Sequence, residues 1–300
     1  MSVDLCGVKL KNPLIAASGT FGFGREYDEL YDISAWGAIA VKGLTDEPRA
    51  GNPPRRIAET SSGILNSVGL QNPGVDAFIR DELPRLASRG ATVIANVAGS
   101  TAESCAEAAR KLSDSPVAMI ELNISCPNVK QGGAQFGACP EDAARVTAAV
   151  RSVCSRPLMV KLSPNVTDIA SIAQAVQDAG ADAVSLINTV TGMAIEARTR
   201  RPALANITGG LSGPAIKPIA LRMVWQTAGG VRVPVVGMGG ITTGTDAAEF
   251  MIAGATAVMV GTANITDVMA GPRILRELED FLDENGIEDA GELTGSLILD

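Results

Sequence analysis

Histidine is missing from all 300 residues, which removes the side chain that most often serves as general base near neutral pH. Any proton transfer must then run through Cys, Lys, Asp, Glu, Tyr or water. The five cysteines, Cys6, Cys105, Cys126, Cys139 and Cys154, include no CxxC pair. Neither a zinc site nor a protein-held iron–sulfur cluster is therefore expected, and no metal is assigned. Their odd number fits reduced cytosolic thiols. No run of about eighteen apolar residues exists, and the start Met1-Ser-Val-Asp-Leu5 does not read as a signal peptide, so a cytoplasmic protein without a membrane partner is expected. A basic run is also absent, and the net charge of −8 argues against nucleic acid. Aromatic residues make up only 3%, against 46% hydrophobic residues and 32 glycines. That balance fits aliphatic strands, many tight connections and a large core.

What is present is a recurring short aliphatic run. Leu14–Ala17, Ala38–Val41, Thr92–Val97, Val117–Leu122, Leu158–Leu162, Ala183–Ile187, Val233–Gly237 and Ala257–Val260 make eight. Near-continuous apolar strands alternating with amphipathic helices mark a parallel sheet covered on both faces, and eight of them predict a closed α/β barrel, the (β/α)8 or TIM-barrel class. An open doubly wound sheet is the rival. Helical spacing is legible over Thr101–Leu112, Pro140–Val153, Thr167–Ala179 and Thr245–Ala253. Pro140-Glu-Asp and Thr167-Asp168 read as helix starts, and Gly180 and Gly254 as stops. Residues 1–13 predict a small N-terminal hairpin closing the barrel bottom. The tail from Gly271 is acidic and helical at its start. Two connections, 43–73 and 189–213, are too long for simple barrel loops and are expected over the mouth. No repeat or low-complexity linker interrupts the chain, so residues 1–300 are expected to form one domain.

The stretch Glu121-Leu-Asn-Ile-Ser-Cys-Pro-Asn128 ends an apolar run and opens into a glycine-rich polar loop. A lone cysteine is more often packed than reactive, but other strand ends also carry polar groups. Ser18 follows the first strand, Lys42 the second, Asn96 ends the third, and Asn123 with Cys126 the fourth. Lys161 ends the fifth and Asn188-Thr189 leave the sixth, while Gly239-Gly240 and Gly261-Thr262 follow the last two. Ligands bind at the carboxyl ends of barrel strands. Lys42 and Lys161 follow Val41 and Val160 directly, where an ordinary solvated lysine fits poorly. The glycine pairs after the last two strands suit a phosphate, with a following helix N-terminus adding its dipole. Two fixed lysines and a phosphate seat suit flavin mononucleotide (FMN), whose reduced ring gains negative charge. The amides of Asn66, Asn123, Asn128 and Asn188 suit a flat substrate dense in carbonyls and N–H groups, with a cysteine as proton acceptor.

Taken together, Asn12-Pro-Leu-Ile-Ala-Ala-Ser-Gly19, Val41-Lys-Gly43, Asn66-Ser-Val-Gly-Leu-Gln-Asn-Pro73, Asn123-Ile-Ser-Cys-Pro-Asn128, Val160-Lys-Leu-Ser-Pro164, Ile187-Asn-Thr189 and Gly237-Met-Gly-Gly-Ile241 resemble the class 1 dihydroorotate dehydrogenases over almost the whole chain. Gly19-Thr-Phe-Gly-Phe-Gly-Arg-Glu-Tyr27, Gly51-Asn-Pro-Pro-Arg55 and Gly209-Gly-Leu-Ser-Gly-Pro-Ala-Ile-Lys-Pro218 resemble the NAD-linked class 1B. The resemblance implies an FMN-binding (β/α)8 barrel oxidising dihydroorotate to orotate in pyrimidine biosynthesis. It implies Cys126 as base and Lys42 touching flavin and substrate. Asn66, Ser67, Val68, Gly69, Leu70, Asn123, Asn128, Asn188 and Thr189 would hold the substrate. Ser18, Lys42, Gly43, Asn96, Asn123, Lys161, Ile187, Gly213, Gly239, Gly240, Gly261 and Thr262 would hold FMN. A partner subunit carrying FAD and a 2Fe–2S cluster would pass electrons to NAD, in a heterotetramer built on a homodimer. The alternatives are the fumarate-linked class 1A homodimer, an FMN barrel like that of dihydropyrimidine dehydrogenase, and a barrel that has lost catalysis. A free thiol has a pKa of about 8.5, and without histidine Cys126 must draw its activation from lysine charge or closure of the loop over residues 129–139.

Overall fold

The computed structural model describes residues 1–125 and 136–299. All eight aliphatic runs are strands: β1 Leu14–Ala16, β2 Ala38–Ala40, β3 Val93–Val97, β4 Met119–Asn123, β5 Leu158–Lys161, β6 Ala183–Leu186, β7 Val235–Met238 and β8 Ala257–Val260. Each pairs in parallel with its sequence neighbours, and the ring closes where Val258 of β8 pairs with Leu14 of β1. Burial on both faces explains why the runs are nearly unbroken apolar sequence: every residue of β1, β2, β3, β5, β6, β7 and β8 is buried.

One face of each strand fills the barrel and the other meets the helices. Ile15, Ala38, Ala40, Ile94, Met119, Met159, Ala183, Val236 and Ala257 form the interior cluster. The hairpin Val3–Leu5 and Val8–Leu10 joins them through Val3, Leu5 and Leu10. Cys6 Sγ donates to Asp182 O, immediately before β6, which places the hairpin at the amino-terminal end of the barrel, as expected. Its two-residue turn, Cys6-Gly7, has both φ angles positive, 57° and 81°, the twist that a right-handed hairpin requires.

The outer layer contains the helices Ala102–Ser113, Pro140–Arg151, Ile169–Asp178, Lys217–Ala228, Gly244–Ile252 and Ala270–Glu284. Asp168 caps the third of these by accepting from the N–H groups of Ala170 and Ser171, and Pro140 sits at the first turn of the second. Gly180 and Gly254 end two helices with φ of 102° and 119°, values disfavoured for residues with a Cβ. Helix Lys217–Ala228 was not legible because it opens on Lys217-Pro218, which reads as a break although proline is tolerated in a first turn. The segment from Val75 to Ser88 was missed for a related reason: a π-type stretch, Phe78–Glu82, and Pro84 disturb its period.

The two long connections join each other. Ile57–Thr60 and Gly63–Asn66 from the first, with Val190–Met193 and Thr208–Ser212 from the second, form one four-stranded antiparallel sheet. Asn66 pairs with Gly210 across the seam. The sheet therefore brings Asn66 beside the residues that follow β6.

Candidate active site

A deep cleft opens at the carboxyl ends of the strands, and most of the residues predicted from sequence line it. Ser18, Lys42, Gly43, Asn66, Val68, Gly69, Leu70, Asn96, Asn123, Lys161, Ile187, Asn188, Thr189, Gly213, Gly239, Gly240, Gly261 and Thr262 share this wall. Ser67 does not line it: its side chain is buried, with a hydroxyl that has no partner among the described residues. Cys126 and Asn128 lie outside the described residues. Thr20, Ile64, Ser212, Met238, Ile241, Thr242 and Met259 also line the cleft and were assigned no role, although Thr20, Ser212, Met238 and Ile241 lie within the motifs that carry the resemblance.

Lys161 is the last residue of β5 and is 4% exposed. Its Nζ donates to Ser18 Oγ at 3.3 Å, and no carboxylate lies within ion-pair distance among the described residues. Residues 126–135 carry no Asp or Glu either. Cations are rarely buried without a counter-charge, so this amine calls for an anionic or electron-rich ligand. Lys42, half-buried at the end of β2, is the other charged side chain on the described cleft wall.

The amides are oriented by backbone. Asn123 Oδ1 accepts from Ser125 N at 3.1 Å and from Ser125 Oγ at 2.7 Å. Asn188 Oδ1 accepts from Thr189 N at 2.8 Å, and its Nδ2 donates to Ser125 Oγ at 2.5 Å. Ser125, 5% exposed, thus ties the two asparagines together and commits the oxygen of Asn123, leaving its Nδ2 to serve a ligand. This serine was missed because its use depends on β4 and β6 meeting in space. The loop 66–73 is braced in the same manner. Asn72 donates to Leu70 O and Thr45 Oγ1 and accepts from Thr45 N and Gly74 N. That brace holds Gly69 and Leu70 at φ of 77° and 55°, the latter uncommon for a branched residue.

The glycine turns have the shape of an anion cradle. Gly239 and Gly240 have φ of 128° and 81°, and an added Cβ would lie 2.7 Å from Ala220 Cβ or Lys217 Cβ respectively. The N–H groups of Gly240 and Thr262 donate to no group among the described residues, which leaves them for a ligand oxygen. Thr262 Oγ1 donates to Ser212 Oγ at 2.9 Å, tying β8 to the inserted sheet. The helix dipole expected after β7 is differently disposed. The N-terminus of helix Gly244–Ile252 is already capped, with Asp246 accepting from Thr242 N and Thr243 N, and Glu277 from Gly244 N. The backbone turn itself, rather than that helix end, is left to meet an anion.

Two of the described cysteines, Cys6 and Cys105, make poor bases. Burial, with Asp182 and Asp4 nearby, pushes the Cys6 thiol up to about 11, and burial pushes Cys105 up to about 12. Among the described residues no cluster of three or more His, Cys, Asp or Glu is placed to hold a metal ion, and no helix is long and apolar enough to cross a membrane. A buried cation, oriented amides and a phosphate-sized glycine cradle fit the flavin mononucleotide that the sequence resemblance implies.

Comparison with known proteins agrees. The family model Dihydroorotate dehydrogenase matches residues 1–282. A protein of Geotalea uraniireducens, named dihydroorotate dehydrogenase B (NAD(+)), catalytic subunit, is 58% identical over 299 residues, covering 99% of this chain and 98% of that protein. Proteins of the same name from Alkaliphilus oremlandii and Geobacter sulfurreducens are 55% and 56% identical over 297 and 298 residues, again covering 99% of this chain and 98% of theirs. The chain belongs to the dihydroorotate dehydrogenase family.

Proposed function

We propose that this chain is the catalytic subunit of an NAD-linked dihydroorotate dehydrogenase, oxidising dihydroorotate to orotate in pyrimidine biosynthesis. The observation that carries the reading is Lys161, a nearly buried cation with one neutral partner among the described residues, in the wall of a glycine-cradled cleft. When bound there, FMN supplies the hydride acceptor for the substrate ring carbon that bears the carboxylate. Cys126 takes the proton from the adjacent ring carbon, next to a carbonyl, so two electrons and two hydrogens leave and a carbon–carbon double bond forms. Lys42, Asn66, Val68, Gly69, Leu70, Asn123, Asn128, Asn188 and Thr189 hold and orient the substrate. Ser18, Lys42, Gly43, Asn96, Asn123, Lys161, Ile187, Gly213, Gly239, Gly240, Gly261 and Thr262 hold the cofactor. In our reading residues 1–300 form one FMN-binding domain in the cytoplasm. It works with an electron-transfer subunit carrying FAD and a 2Fe–2S cluster, in a heterotetramer built on a homodimer.

The names and coverage of the relatives favour this over the fumarate-linked class. Turnover, followed as orotate absorbance, tests it. The isolated chain should form orotate with an artificial dye acceptor, ignore fumarate, and use NAD only with the partner subunit added. Rapid fumarate reduction by the isolated chain would instead place it in the other class.

A further inference from the structure

Beneath the cleft lies a carboxylate that the proposed chemistry does not use. Glu121 is in the middle of β4 and is 0% exposed, as are Asn96 of β3 and Ser185 of β6 on its two sides. Its Oε2 accepts from Asn96 Nδ2 at 2.5 Å and its Oε1 from Ser185 Oγ at 2.7 Å. A carboxylate only accepts, so it dictates which end of the asparagine faces it. Turned the other way, the amide would set two acceptor oxygens against each other inside the barrel, a costly arrangement in a site without water. The amide oxygen must therefore face upward, and Asn96 Oδ1 is a buried polar atom without a hydrogen-bond partner among the described residues. It points along the cleft wall beside Gly43, where an added Cβ would lie 2.9 Å from it. A buried acceptor left without a donor implies one brought by the ligand.

We propose that Glu121 is a positioning residue: it locks the Asn96 amide so that the cofactor meets an acceptor there, selecting an N–H or O–H group of FMN. The proposal rests on the FMN reading above, and the test separates the two. FMN is removed from the full-length chain, and rebinding is followed by quenching of flavin fluorescence and by the visible band. In Glu121→Gln the new side chain offers both an amide donor and an acceptor, so Asn96 can invert and present N–H groups to the cleft. FMN affinity should fall about tenfold, the worth of one such hydrogen bond, and the flavin band should shift. In the double variant Asn96→Asp with Glu121→Gln, residue 96 can only accept while the glutamine donates to it. Affinity should return to within about threefold of wild type, a rescue that general loosening of the barrel would not give. Wild-type affinity in Glu121→Gln, or no recovery in the double variant, overturns the proposal while leaving the FMN site standing. Failure of the wild-type chain itself to bind FMN would remove both. Should Glu121→Gln not fold, Asn96→Ala decides instead: it must weaken FMN by a similar factor, and unchanged affinity would overturn the proposal.

Discussion

Replacing Lys161 by methionine should move stability and cofactor binding in opposite directions. The side chain is 4% exposed, and its one hydrogen bond among the described residues is a 3.3 Å contact to Ser18 Oγ. In the protein without cofactor, Lys161→Met removes a poorly compensated buried charge and keeps a chain of similar length, a change that is commonly neutral or stabilising. The melting temperature should hold or rise, by about 2–4 °C for each kcal/mol gained. With cofactor the sign reverses. A hydrogen bond to a charged group is worth about 1.5–3 kcal/mol, which corresponds to roughly 12- to 150-fold weaker FMN binding. Anaerobic reduction by dihydroorotate should slow further, because the ring gains negative charge as it is reduced. Thermal melts with and without FMN, fluorescence titration and stopped-flow reduction measure the three quantities. A less stable apo-protein with unchanged FMN affinity would refute the reasoning, since it would make Lys161 a structural residue satisfied by the protein alone.

Other outcomes follow from the same geometry. Gly240→Ala forces a Cβ to within 2.7 Å of Lys217 Cβ and 2.9 Å of Lys217 N at a φ of 81°. It should cost about 1–3 kcal/mol in strain, seen as a lower melting temperature together with loss of FMN on gel filtration. Asn72→Ala removes the four hydrogen bonds that brace loop 66–73 and should raise KM for dihydroorotate by about tenfold or more with FMN retained. Asp246 is held below the usual carboxylate range: burial raises its pKa, but Lys217 and the N–H and hydroxyl of Thr242 more than offset that. Its stabilising contribution is then complete above its unfolded pKa and is lost as pH falls through the lower folded value. Acid melts of Asp246→Asn should accordingly be flatter as pH falls below about 4, the unfolded carboxylate range, than those of wild type. Cys126→Ser should slow flavin reduction by orders of magnitude near neutral pH while FMN stays bound, because a serine hydroxyl is a much weaker base. Near-wild-type reduction would displace Cys126 from that role.

The barrel was legible because burial on both faces writes each strand as an unbroken aliphatic run, and the eight runs coincide with the eight strands. Strand-end residues such as Lys42, Asn96 and Lys161 were legible for the converse reason, being polar where the pattern demands apolar. Helix Lys217–Ala228 was hidden by Pro218, and the inserted sheet by strands only four or five residues long whose central pairing joins residues more than a hundred apart. Ser125 and Glu121 could not be recognised from sequence. Each acts by orienting an asparagine, and which end of an amide faces a ligand depends on neighbours from other strands. The capped helix after β7 shows the same limit, since its own Asp246 and Glu277 of the last helix occupy the N-terminus that a strand-then-glycine pattern offers to a ligand.

The most direct test of the central claim is an anaerobic spectrum of the isolated chain before and after adding dihydroorotate. The account predicts a yellow protein whose flavin band bleaches while orotate appears in equal amount. A yellow protein indifferent to dihydroorotate would move the substrate to another pyrimidine, and a colourless one with no affinity for added FMN would contradict the account altogether.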